Sequence, residues 1–94
     1  MSVHRVKSWP KFFQPLSAGQ RTHELRRNDR DYKVGDVLQL HEFLPTENAY
    51  TGKTIQLAIT SITSADEPCA VSQEALHIGF CILSVKLIEH PHKL

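Results

Sequence analysis

The chain has 94 residues, of which 40% are hydrophobic and 22% are charged, a globular composition that excludes a disordered protein. Its longest apolar run, residues 80–83, is far too short for a membrane-spanning helix, so we expect no membrane partner. The net charge of +1 hides a basic end, because residues 1–33 carry eight basic and three acidic side chains, whereas residues 34–94 carry three and seven. A basic end attracts phosphates, although a solvated basic face explains it equally well.

The length predicts a single domain over residues 1–94 with one hydrophobic core. The N-terminus has no apolar segment of the kind that directs export, so we expect a cytoplasmic protein. Cys69 and Cys81 do not form a CxxC pair and are expected to be free thiols, with Cys81 in the core.

A strand at residues 2–7 and a short helix are the first predicted elements. Four apolar side chains recur at the spacing of one helical face: Trp9, Phe12, Phe13 and Leu16. Ser8 is the expected N-cap and Gly19 the stop. Pro15 should distort the helix or end it near Gln14, because proline lacks the N–H that would bond to the Lys11 carbonyl. The aromatic face is expected to pack in the core.

Strands are predicted over most of the remaining chain. In the first, residues 22–26, Glu24 and Arg26 share a wholly polar face, while Leu25 points the other way. Further strands are expected at residues 37–44 and 54–62, joined by a long hairpin loop over residues 45–53. A closing strand at 80–87 is apolar on both faces and should be central in the sheet. Residues 64–79 should form a loop with one helical turn, and residues 88–94 a flexible tail.

The predicted fold class is therefore mainly β (α+β), with one N-terminal helix and about five strands that lack βαβ alternation. Strands that follow one another so directly favour a small, partly open β-barrel, with the helix covering one end.

Most chemistries are excluded or weakly supported. The six histidines show no metal-ligand spacing, so no metal site and no cofactor is predicted. No phosphate-binding loop or nucleophile motif is present, and Cys69 has no evident activating partner. The stretch from Gly19 to Asp36 remains, with its arginines around Glu24. Guanidinium groups bind phosphates, base edges or carboxylates, so this group is either a site or a structural ion-pair network between Glu24 and Arg26.

The pattern Gly19-x-Arg21-x-x-Glu24-x-Arg26 resembles the GxKxxExR signature of ASCH domains, a branch of the PUA-like superfamily. The continuation, residues 27–36, is similar to one subfamily of small bacterial and phage proteins of unknown function. Thr51-Gly52 and the segment from Gly79 to Ser84 fit the hairpin and closing strand of that subfamily.

The resemblance implies a PUA-like open β-barrel and a cleft between the helix and the barrel that binds RNA or a nucleotide-like ligand. Some relatives of this kind are amidohydrolases on acylated cytidine or ribonucleases. The amidohydrolases use the signature lysine, which is Arg21 here. Arginine stays protonated, so it binds or stabilises an anion but does not act as a nucleophile or base.

We therefore expect a nucleic-acid-binding module, with RNA favoured over DNA. Arg21, Arg26 and Arg30 would contact phosphate or a base edge, and Glu24 would hold Arg26 or accept from an exocyclic amine. Four further cations would widen the basic rim: Lys7, Lys11, Arg27 and Lys33. Two alternatives remain. One is a small enzyme on modified nucleosides or RNA with Glu24 as acid or base, and the other is a phage-type accessory factor that binds a protein partner.

Overall fold

The computed structural model describes residues 1–67 and 69–93, with side chains through Ile88. This part of the chain forms the elements β1 (Val3–Ser8), α1 (Pro10–Ser17), β2 (His23–Arg27), β3 (Val37–Leu44), β4 (Ala49–Ser64), α2 (Ser72–Ala75) and β5 (Phe80–Lys93). The strands build one curled sheet that makes a half-barrel. The predicted small PUA-like barrel, mainly β with an N-terminal helix, is confirmed.

The sheet has the strand order β1-β3-β4-β5-β2. β1 runs parallel to β3, and the other neighbours are antiparallel. β5 lies between β4 and β2, which agrees with the interior position predicted for it from its apolar faces. The two end strands, β1 and β2, border a gap. One side chain bridges it: the Arg26 guanidinium donates a hydrogen bond to the Lys7 carbonyl at 3.2 Å. This gap keeps the barrel open on one side.

The core lies inside the curl of the sheet and under α1. Its members come from alternate positions of the strands, from one face of the helix and, for Tyr32, from the loop between β2 and β3: Val6, Phe13, Leu16, Tyr32, Leu38, Leu40, Ile55, Leu57, Ile59, Cys81, Leu83 and Val85. Cys81 is buried and Cys69 is exposed, and both are free thiols, as predicted. The core therefore occupies the middle of the barrel and leaves the gap between β1 and β2 to polar side chains.

Helix α1 differs from the prediction at its start and in its middle. Trp9, not Ser8, is the N-cap residue, and its side chain is exposed instead of packed with Phe13 and Leu16. The helix continues through Pro15 to Ser17. Pro15 removes one hydrogen bond, the one to the Lys11 carbonyl, while Phe13 and Leu16 on either side of it are buried in the core.

The loop between β3 and β4 is shorter than predicted. β4 already begins at Ala49, so the turn covers only residues 45–48 and the predicted loop over residues 45–53 is wrong. The early start of β4 places Tyr50, Gly52 and Lys53 on the hairpin itself. The flexible tail predicted at residues 88–94 stays a prediction. The backbone of residues 88–93 forms the end of β5, and residue 94 lies outside the described residues.

Candidate functional site

Strand β2 turns its polar face inward. Glu24 is only 5% exposed and Arg26 is half-buried, whereas Leu25 is 58% exposed. The alternation is the one predicted from the sequence, but the buried face is the charged one. This inversion is possible because β2 is an end strand, and its inner face borders the gap toward β1 and not the apolar core.

The Glu24 carboxylate lies between two arginines. Arg21 Nε is 3.7 Å from Oε1, and Arg26 Nη1 is 3.4 Å from Oε2. Burial raises the pKa of Glu24 above its usual value, although Arg26 and Arg21 act in the opposite direction. Both contacts are longer than the 2.7–2.9 Å or so of a good charge-assisted hydrogen bond, so the carboxylate keeps acceptor capacity. The pairing of Glu24 with Arg26, open at the level of sequence, is therefore present but loose.

Arg26 is the residue at which two clefts meet. The first, which we call the helix–barrel cleft, has a volume of about 520 Å³ and lies between the start of α1 and β2. Trp9 and Phe12 line it on the helix side, and Arg21, Glu24 and Arg26 on the barrel side. The Arg21 guanidinium lies 4.6 Å from the centre of the Phe12 ring, which fixes its orientation.

The second cleft, which we call the basic cleft, lies between β1, the end of β2 and the β3–β4 hairpin, with a volume of about 610 Å³. Five cationic side chains line it: Arg5, Lys7, Arg26, Arg30 and Lys53. His41 and Tyr50 complete its polar wall, and no acidic side chain lines it among residues 1–67 and 69–88. The Tyr50 ring is 56% exposed and packs edge-on against Phe43, with ring centroids 5.1 Å apart. A basic trough with an exposed aromatic ring is the result.

The structure brings together some of the predicted site residues and separates others. Lys7, Arg26 and Arg30 meet in the basic cleft, and Arg21, Glu24 and Arg26 in the helix–barrel cleft. Arg27 lies over the Phe80 ring in a neighbouring depression that Arg26 and Arg30 also line.

Two predicted rim cations lie elsewhere. Lys11 is on the exposed side of α1 and lines neither cleft. Lys33 pairs with Asp31 at 3.5 Å, in a depression that it shares with the acidic Asp66 and Glu67. Lys33 therefore lies outside both clefts, because the turn that follows β2 carries it away from the gap, and its role in a basic rim stays a prediction.

Sequence reasoning missed several polar and aromatic residues of the two clefts, among them Arg5, His41, Tyr50 and Lys53 in the basic cleft and Ser8, Trp9, Phe12 and His23 in the helix–barrel cleft. Arg5 had a signal, since it alternates with Lys7 along β1 and so shares its face. Tyr50 and Lys53 had none, because they were assigned to a loop.

Asp36, at the end of the signature stretch, anchors the fold and not the site. Its carboxylate accepts hydrogen bonds from His4 Nε2 at 2.8 Å and from the backbone N–H groups of Ser2 and Lys33 at 3.0 and 3.1 Å. These bonds lower the pKa of Asp36 to about 2. They fasten the start of β1 beside the start of β3.

We expect acid to weaken this anchor. Because the folded pKa of Asp36 is depressed below 3.8, its stabilisation is complete above about pH 4 and is lost as the pH falls toward about 2. Asp36→Asn should melt at a lower temperature than the wild type at pH 7, and the difference between the two melting temperatures should shrink below pH 4. Thermal melts followed by circular dichroism at several pH values measure this difference. A difference that stays constant with pH would contradict the assignment.

Among the described residues, no helix is both long enough and apolar enough to cross a bilayer. Within the same residues, no three His, Cys, Asp or Glu side chains lie together in a way that could hold a metal ion.

Comparison with known proteins bears on both fold and family. Residues 3–85 match the family described as "Domain of unknown function (DUF3850)". An uncharacterised 12.9 kDa protein from the GpA 3′ region of Escherichia phage P2 is 34% identical over 65 residues, which is 69% of this chain and 58% of the phage protein. The match thus spans little more than half of that relative's length.

A crystal structure of a ZmASCH mutant protein from Zymomonas mobilis is similar with a TM-score of 0.63. The likeness covers 95% of this chain and 70% of that chain at 14% identity, so it shows the fold alone. The fold is ASCH-like, as the GxKxxExR resemblance predicted. The assignment to one particular ASCH subfamily stays a prediction.

Proposed function

The chain belongs to the family described as Domain of unknown function (DUF3850), and we propose that it is a nucleic-acid-binding module that holds single-stranded RNA in the basic cleft. One observation carries the proposal: of the side chains that the structure describes, five cationic ones and no acidic one line this cleft, around an exposed tyrosine. Such a trough attracts the phosphate backbone, and an aromatic ring in it offers a face on which a base stacks.

The charges of the basic cleft are largely unneutralised. Within the described residues, Arg5, Arg30 and Lys53 make no ion pair, and only Arg26 contacts a carboxylate, that of Glu24. Lys7 Nζ lies 4.4 Å from the centre of the Phe43 ring, which holds it at the cleft without reducing its charge. The five cations therefore act together on one line of phosphates.

Single-stranded RNA fits this geometry better than a duplex. A cleft of about 610 Å³ has room for one or two nucleotides, not for the width of a double helix. Tyr50 contributes a ring that is accessible only to an unstacked base. The ASCH-like fold supports RNA over DNA, because an RNA-binding role has been proposed for PUA-like relatives.

The proposal is tested by titrating a labelled 10-nucleotide RNA against the protein at about 50 and 200 mM salt, followed by fluorescence anisotropy. We expect the affinity to fall steeply with salt, because each neutralised phosphate releases counterions. Arg30→Ala should weaken binding by roughly tenfold at low salt and should reduce the salt slope by about one. Arg30 is exposed, so its removal leaves the fold intact.

Lys33→Ala is the matched control. It removes an equally exposed cation from the same loop, but one that pairs with Asp31 away from the basic cleft. Equal losses for the two variants, or no binding by the wild type at low salt, would overturn the proposal.

A second candidate function is a small enzyme on RNA or modified nucleosides, and the burial of Glu24 favours it. Burial raises the pKa of this carboxyl in a cleft that also holds two guanidinium groups, an arrangement suited to general acid–base chemistry. Incubation of the purified protein with labelled RNA and with acylated cytidine tests this candidate. Product formed by the wild type and not by Glu24→Gln would establish it, whereas intact substrate in both would remove it.

A further inference from the structure

The helix–barrel cleft contains features that phosphate binding in the basic cleft does not use. Ser8 lines it and is only 5% exposed, and its buried hydroxyl has no hydrogen-bond partner among the described residues. Arg21 Nε is also buried without one. A buried polar atom without a partner is costly, so two of them around one cleft indicate that a ligand supplies the missing bonds.

Glu24 defines what such a ligand must offer. Its Oε2 accepts one long hydrogen bond from Arg26 at 3.4 Å, and its Oε1 lies 3.7 Å from Arg21 Nε, beyond hydrogen-bond distance, so the carboxylate can accept further bonds. Two carboxylate oxygens in one plane match two parallel N–H donors. Among the four RNA bases, only guanine carries two adjacent N–H donors, N1–H and N2–H, on its Watson–Crick edge. Adenine offers one donor beside one acceptor, cytosine one donor beside two acceptors, and uracil a donor between two acceptors.

The donor that guanine also requires lies beside the carboxylate. In guanine the O6 acceptor adjoins N1–H, and the unpartnered Arg21 Nε adjoins Glu24 Oε1. Trp9, which is 55% exposed, supplies aromatic surface at the same cleft, suited to stacking of a purine. Acceptor, donor and aromatic wall thus occur together in one volume.

The two clefts adjoin each other, because Lys7 and Arg26 line both of them. A strand held in the basic cleft is therefore able to turn one base into the helix–barrel cleft, with its phosphate near Arg26. We propose that the helix–barrel cleft is a guanine-selective base pocket, in which Glu24 accepts hydrogen bonds from N1–H and N2–H of a base flipped out of the bound strand. This inference rests on the proposed function and adds base specificity to it.

The test uses a 10-nucleotide uridine oligomer in which one central position carries guanosine, inosine, adenosine or cytidine. With wild-type protein we expect guanosine to bind about tenfold or more tightly than the all-uridine oligomer, the discrimination typical of one bidentate base contact. Inosine differs from guanosine only by lacking the 2-amino group, so it should lose most of that gain. This comparison needs no variant and does not depend on how well a variant folds.

Two variants test whether the preference for guanosine arises in the helix–barrel cleft. Glu24→Gln replaces one acceptor by a donor at nearly the same shape, and it should bring the ratio of guanosine to uridine affinity close to one. Trp9→Ala should also lower that ratio, whereas Lys33→Ala should preserve it, because Lys33 lies outside both clefts.

The outcomes separate this inference from the proposed function. Tight, salt-sensitive binding with equal affinity for all central bases overturns the guanine pocket and leaves the module standing. Equal affinity for guanosine and inosine overturns the bidentate contact with Glu24. If no oligomer binds, the module is overturned, and guanosine and inosine 5′-monophosphates then test the pocket alone through quenching of Trp9, the single tryptophan of the chain. Equal quenching by the two overturns the pocket as well.

Discussion

Removal of three cations from the basic cleft should abolish most of its affinity for RNA. In the variant that combines Arg5→Ala, Arg30→Ala and Lys53→Ala, we expect binding of a 10-nucleotide RNA at about 50 mM salt to weaken by a hundredfold or more. The three side chains are exposed and make no ion pair among the described residues, so their loss removes phosphate contacts without opening the core. Anisotropy titrations at several salt concentrations measure both the affinity and the number of phosphates released.

The salt dependence of RNA binding tests whether the affinity comes from phosphate contacts in the basic cleft. We expect the slope of log affinity against log salt to fall by about two to three in the triple variant, close to the number of cations removed. A control that combines Lys33→Ala with Lys86→Ala removes two exposed cations away from the basic cleft and should keep at least most of the slope. A triple variant that binds like this control would show that the cleft is a solvated basic face.

Loss of Arg26 should have the largest effect on stability among the predicted site residues. Arg26→Ala removes the donor to the Lys7 carbonyl and one of the two cations beside buried Glu24. We expect the free energy of unfolding to fall by about 2 to 3 kcal/mol at pH 7, since a buried carboxylate that loses a partner is left with part of its desolvation cost. Urea denaturation followed by circular dichroism measures the loss.

The pH dependence of this loss identifies its cause. Burial already holds the pKa of Glu24 above its usual value, and removal of Arg26 raises that pKa further. Ionisation of such a group favours the unfolded chain, so its penalty is present at neutral pH and disappears as the pH falls below about 4. The deficit of Arg26→Ala should therefore narrow on acidification, and Glu24→Gln added to Arg26→Ala should recover part of it at pH 7. A deficit that is the same at every pH, with no recovery, would contradict the role of Glu24.

The fold was accessible from the sequence because it depends on short-range patterns. Alternation in β4, an apolar closing strand and a helical aromatic face are each readable within a few residues, and together they predict a small open barrel. The errors in the prediction of helix α1 have local causes. Helix α1 continues through Pro15, which removes only the hydrogen bond to the Lys11 carbonyl, and Trp9 is exposed because the helix begins one residue later than its apolar spacing indicates.

The site was less accessible, because it is assembled from parts of the chain that only the fold brings together. Glu24 and Arg26 were predicted to share a polar face, but that this face is the buried one follows from the position of β2 at the end of the sheet. Tyr50 and Lys53 reach the basic cleft because β4 begins at Ala49 and turns the expected loop into a hairpin. No pattern in the sequence marks that start.

The most direct test of RNA binding in the basic cleft is a chemical-shift map of the protein with a 10-nucleotide RNA. In spectra of the ¹⁵N-labelled 94-residue chain, we expect the largest amide shifts at residues 5–8, 26–30 and 50–53, the segments that border the basic cleft. Shifts confined to residues 64–79, or no shifts at low salt with RNA in excess, would contradict binding in this cleft.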